Sequence, residues 1–322
     1  MEALLRQVKS SYPSTEPRIT TYDVTKQTIQ SIYRHFQEDS TYTKDIGITG
    51  FLSRCTHHVI VTAHRITLHV VAPFEDLPSR TLLRRVVRRA QCLIKMHECA
   101  HPMLEFWLLP MRTLRFFPKD GVPVEGKHIN GGFTFPANGK VFIFRFEEFP
   151  KVMLHETIHN LDIDTYEEWS HDELMDMYDH WNISRRGCDK DTGCETLLVP
   201  NEAIVETWAE LYQVAFLSIE YHIDWKRLLQ AEKDWAIMQA KLVLDYQRKH
   251  MPVWNEKTHA YSYIVLRSCL LWNHNRFLNM RGMKWSQLIR SSFYNDDYQK
   301  ALKSARLRTN VMSMRNSIFG GL

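Results

Sequence analysis

The chain has 322 residues, 44% hydrophobic and 24% charged, a balance that belongs to a folded globular protein and excludes wholesale disorder. A formal net charge of +4, with 16 histidines, is too small to select nucleic acid as a partner by charge alone. No apolar run approaches the ~18 residues a membrane-crossing helix needs and no basic-apolar leader opens the sequence, so a soluble, intracellular, cytoplasmic protein with reduced cysteines is expected.

Residues 1–57 are expected to form an N-terminal helical segment, with helices over 2–9 and about 24–37, the second carrying Ile29, Ile32, Tyr33 and Phe36 on one face. Gly47 and Gly50 punctuate its exit. From His58 the period becomes that of strands, and the runs 59–62 and 66–71 predict a hairpin. Ser79 can cap a helix to about Glu98, with an apolar stripe from Leu82 to Ile94. Its other face carries Arg84, Arg85, Arg88 and Arg89, read as the solvated side of a helix lying on a sheet rather than as an RNA or membrane surface. A strand over 104–109 follows. Then 131–135 and 141–144 flank Asn138-Gly139, a strong hairpin signal.

Beyond Asp162 helices are expected over 171–180, 200–218, 224–249, 257–273 and 284–292. Strands followed by helices predict an α+β fold, with a sheet-bearing lobe over 58–165 and a helical lobe over 166–322. A functional site is expected at their junction.

The run His155-Glu156-Thr157-Ile158-His159 places two imidazoles one helical turn apart on one face, where both can reach one metal ion with Glu156 beside them. A second copy, His97-Glu98-Cys99-Ala100-His101, is followed at once by Pro102, which turns its last histidine away from helical geometry. Zinc in a catalytic site takes three protein ligands, so a third is required. Asn201-Glu202 and Glu206 supply carboxylates four residues apart on an otherwise apolar helix, where acids need a positive partner. Cys188 and Cys194 are read as free thiols in a loop. The basic segment 281–315 is read as a solvated helical face.

His155-Glu156-x-x-His159 followed about forty residues later by Asn201-Glu202-x-x-x-Glu206 resembles the gluzincin, or thermolysin-like, zinc metallopeptidases. The layout is also similar to zinc peptidases of large DNA viruses. The resemblance implies a zincin-like fold, a Zn2+ ion held by His155, His159 and Glu202, and Glu206 orienting a ligating histidine, with the two glutamates able to exchange roles. It implies Glu156 as general base. Asn130-Gly131-Gly132-Phe133 is similar to the edge strand that binds substrate backbone in these enzymes, which marks Gly131, Gly132 and Phe133 as substrate-binding. Oxyanion donors there come from a downstream Tyr or His. The run 258–263 offers His259, Tyr261 and Tyr263, of which His259 and Tyr261 are taken as the catalytic candidates. Metzincins are disfavoured, because Asp162 and Thr165 stand where their glycine and third ligand would be.

The implied function is a zinc-dependent peptidase acting on a peptide or protein substrate. The competing readings are a catalytically silent protein of the same fold, such as a virion component, and a nucleic-acid-binding module using Arg84 to Arg89 and the basic C-terminal segment 281–315.

Overall fold

The computed structural model describes residues 1–37, 47–97, 103–119, 121–134, 139–161, 169–184, 199–280, 283–306, 317–319 and 321–322. The chain is a mixed α+β protein built on one six-stranded mixed sheet. None of the described helices is long and apolar enough to cross a membrane.

Helix α1 (Glu2–Ser11) opens the chain, and β1 (Arg18–Asp23) follows it. The sequence reading places only helices here. β1 carries no alternation of apolar residues, since RITTYD is mostly polar and exposed, and its register comes from its partner, with Arg18 opposite Thr62 and Asp23 opposite His57. Helix α2 (Lys26–Gln37) and the short α3 (Ile48–Leu52) bury Ile32, Phe36, Phe51 and Leu52 against one face of the sheet, on Val71, Trp107, Phe133 and Phe142.

The expected hairpin is β2 (His57–Ala63) and β3 (Ile66–Ala72), turned by Arg65 at a φ of 62°. Helix α4 (Arg80–Met96) is capped by Ser79, whose Oγ accepts from the Leu82 amide at 3.2 Å. It crosses to β4 (Leu104–Leu108), which runs parallel to β3. After the turn α5 (Gly126–Ile129), β5 (Gly132–Thr134) and β6 (Lys140–Ile143) complete the order β1-β2-β3-β4-β6-β5. Strand β5 pairs antiparallel with β6 and is the sheet edge.

Helix α6 (Phe149–Asn160) then packs on the sheet with all its residues buried. The later helices are α7 (His171–His180), α8 (Asn201–Tyr221), α9 (Trp225–His250), α10 (Arg267–Trp272), α11 (His274–Leu278), α12 (Trp285–Phe293) and α13 (Asp296–Ser304). One apolar core runs from Leu4 through α4, α6, α8 and α9 to Leu302, so residues of 1–57, 58–165 and 166–322 share it.

Not all of the arginine stripe on α4 is solvated. Arg89 is fully buried, donating to Glu220 Oε2 at 2.6 Å and Gln213 Oε1 at 3.1 Å, because the polar end of α8 lies under that side of the helix. Arg88 donates to Glu16 at 3.0 Å, and Arg85 stacks over Tyr221 at 4.4 Å. Of the rival histidine motif, only His97 is described. It caps α4 and lies 3.0 Å from the Tyr212 hydroxyl, while Glu98 to Pro102 fall outside the described residues, as do Cys188 and Cys194.

Candidate metal centre

Helix α6 reads FPKVMLHETIHN and is wholly buried, and its nitrogen-bearing side chains Lys151, His155 and His159 recur every fourth position, so they share one face. Helix α8 repeats the device with Glu202, Glu206 and Glu210. The two helices pack together, so a ladder of nitrogens faces a ladder of carboxylates inside the core. Buried polar groups demand partners, and here each set supplies the other.

His155 Nε2 and His159 Nε2 are 3.1 Å apart, and Glu202 Oε2 lies 3.3 Å from each. The three could touch one metal ion. Glu202 Oε2 is buried without a hydrogen-bond partner, an orphaned acceptor of the sort a cation satisfies. Glu206 stands on the other side of His155 and accepts from Nδ1–H at 2.8 Å, which keeps Nε2 turned toward Glu202 and His159. Its second oxygen pairs with Lys151, which is almost fully buried.

The charges explain the ionisation states. Burial would raise Glu202 and Glu206, but the His159 and His155 imidazoles hold Glu202 well below the carboxylate range. In the same way the Lys151 ammonium and His155 hold Glu206 well below it. Burial would lower His155, and the adjacent Glu202 and Glu206 more than offset it, holding the metal-free imidazole up at about 9. Burial pushes Glu156 up, which makes it a stronger proton acceptor. No hydrogen bond to a described residue occupies the Glu156 carboxylate, and it lines a cavity of about 190 Å³ together with His155, His159 and Glu202. A side pocket of about 30 Å³ continues past Glu156 to Arg115, Ile129 and Val152.

One wall is the N-terminal end of edge strand β5. A Cβ on Gly132 would come within 2.7 Å of Phe142 O and 3.1 Å of Val152 Cγ1, and one on Gly131 within 3.0 Å of Arg115 Nη2. Glycine at both positions lets the strand lie against α6. The Phe133 ring turns away, packing with its centroid 5.1 Å from that of Phe142, so what it offers the cleft is backbone. Asn130 also lines the cavity, its Oδ1 held by the Thr258 hydroxyl at 2.6 Å.

The opposite wall is His259 and Tyr263, with the Tyr263 ring centroid 5.8 Å from that of His155. Tyr261, a catalytic candidate by sequence, is not there. It is 1% exposed, packed edge-on to Trp254 with its amide on Glu256 at 3.0 Å. His259 and Tyr263 are four residues apart, joined by the Tyr263 amide donating to the His259 carbonyl at 2.9 Å, and both line the cavity, whereas Tyr261 packs into the core. That spacing is a signal the sequence does contain.

Other residues of the site carry no sequence signal. Lys151, Arg115 and Arg267 are long cations that normally lie in water, yet all three are at most 3% exposed here, Arg115 pairing with Glu148 and Arg267 with Glu210 at 3.3 Å. No family model, curated protein or solved structure matches this chain.

Proposed function

We propose that this chain is a zinc-dependent peptidase of zincin-like architecture, with its cleft between edge strand β5 and the helices carrying Glu202 and Tyr263. The observation that carries the reading is the triangle of His155 Nε2, His159 Nε2 and Glu202 Oε2, with edges of 3.1, 3.3 and 3.3 Å. Zinc bonds of ~2.0–2.1 Å in a tetrahedron give ligand–ligand edges of about 3.3 Å, so His155, His159 and Glu202 are spaced to hold such an ion beside the cavity they line. Held by these three residues, a zinc ion would supply Lewis acidity, which activates water and polarises a carbonyl.

The remaining roles belong to the protein. Glu206 holds the His155 ring through Nδ1–H, and Lys151 compensates Glu206. Glu156, buried and raised in pKa, takes a proton from the attacking water and returns it to the leaving amine. Tyr263 and His259 stand across the cavity, where their donors can meet negative charge building on the attacked carbonyl oxygen. The open edge of β5 offers amide and carbonyl groups to an extended peptide.

The test is metal analysis combined with digestion of a peptide library by wild type and Glu156→Gln. Stoichiometric zinc, with cleavage by wild type alone, is the expected result. Zinc without cleavage across the library would favour a silent protein of this fold. Absence of zinc, or equal cleavage by both proteins, would end the peptidase reading.

A further inference from the structure

Tyr263 reaches the cleft from an irregular piece of helix. Residues Ser262–Leu266 form a π turn that passes directly into α10. A π turn is in effect one residue inserted into an α-helix, and reversion to α geometry would rotate the residues before the turn by about 100° relative to α10. Something must hold Tyr263 at its present aim.

Arg267 is placed to do so. It is fully buried, and its Nε donates back to the carbonyl oxygen of Tyr263 at 3.0 Å. Its Nη1 donates to Glu210 Oε2 at 3.3 Å. Glu210 lies two turns along α8 from Glu202, so one planar guanidinium ties the backbone of Tyr263 to the helix presenting the carboxylate of the metal triad. A lysine can carry the charge but cannot make both contacts in the fixed geometry of the fork.

We propose that Arg267 is a positioning residue for Tyr263: it staples the π turn to α8 and so sets the distance between the Tyr263 hydroxyl and the triad. This rests on the hydrolytic reading of the site. The alternative is that Arg267 only neutralises Glu210, and then lysine would serve as well.

The experiment compares wild type, Arg267→Lys, Tyr263→Phe and the double variant, each as the full chain. A charge-neutral pair, Arg267→Met with Glu210→Gln, stands in if Arg267→Lys does not fold. On a peptide that wild type cleaves, Arg267→Lys should lower kcat about tenfold to a hundredfold with KM within about twofold, as expected for a misplaced group. That loss should vanish in the Tyr263→Phe background. A second readout needs no turnover. In protein labelled with 3-fluorotyrosine, the fluorine resonance of Tyr263, assigned by its loss in Tyr263→Phe, should shift on adding zinc to wild type and not to Arg267→Lys, although both bind zinc within about twofold of each other. Independent, multiplying effects on kcat, or a zinc-induced fluorine shift in Arg267→Lys as large as that of wild type, would overturn the proposal. If wild type binds zinc but cleaves nothing, the peptidase reading falls and the fluorine measurement alone decides the role of Arg267.

Discussion

Glu202 and Glu206 stand one helical turn apart on α8 and approach opposite edges of the same imidazole, Glu202 Oε2 at 3.3 Å from His155 Nε2 and Glu206 Oε2 at 2.8 Å from Nδ1. One carboxylate joins the triad and the other orients it. Glu202→Gln should therefore abolish stoichiometric zinc. Glu206→Gln should retain zinc with affinity reduced by about 10- to 100-fold, read by competition against a chromophoric chelator.

Lys151 and Glu206 form an ion pair with almost no solvent contact. Replacing the cation alone, as in Lys151→Met, leaves the buried Glu206 carboxylate with one oxygen unpaired and only His155 to compensate it, and should cost about 3 kcal/mol in urea unfolding. Adding Glu206→Gln removes that charge too, and the double variant should recover most of the loss. Equal instability of single and double variants would show that packing, not charge, is what Lys151 contributes.

The two tyrosines of 258–263 separate cleanly. Tyr263→Phe should lower kcat by about 10²-fold, as expected for loss of a donor at developing charge. Tyr261→Phe removes only a 3.4 Å contact to Gln247 in the core, so activity should hold while stability falls by about 1 kcal/mol or less.

Gly132 is a sensitive point on the edge strand. In Gly132→Ala the new methyl would meet Phe142 O at 2.7 Å, and backbone oxygen cannot step aside as a flexible side chain can. The variant should lose about 1–3 kcal/mol in thermal or urea unfolding. Its β5–β6 amides should also exchange faster with deuterium.

Glu256 gives a pH signature outside the His155, His159 and Glu202 triad. It is fully buried, and burial pushes its carboxyl up to about 8 against hydrogen bonds that pull it down. Because the folded pKa is raised, the folded state binds more protons than the unfolded state between the ordinary carboxyl value and about 8. The contribution is full in acid and is lost as pH rises through that window. Glu256→Gln should match wild type near pH 5 and exceed it by on the order of 1–3 kcal/mol near pH 9. A gain of equal size at both pH values would rule out ionisation as the cause.

Much of the site is legible in the sequence because helical periodicity is local. The four-residue spacings of His155 with His159 and of Glu202 with Glu206 depend only on backbone geometry, so each pair must share a face wherever its helix goes. The β2–β3 hairpin and the Ser79 cap are legible for the same reason, each being specified within a few residues. Strand β1 is not. Its polar run carries no periodic signal, and only the free edge of β2 makes it a strand.

By itself, then, the sequence determined the α+β layering, the helical pairs of histidines and acids, and the antiparallel pairing of the strands on either side of Asn138-Gly139. Tertiary structure alone decided which acid meets which nitrogen, that Tyr263 rather than Tyr261 faces the cleft, and that Lys151, Arg89 and Arg267 are buried. The physical reason is one of range. A motif's spacing sets direction within one helix, whereas partnership between helices depends on their relative rotation and offset, which arise from packing across the whole core.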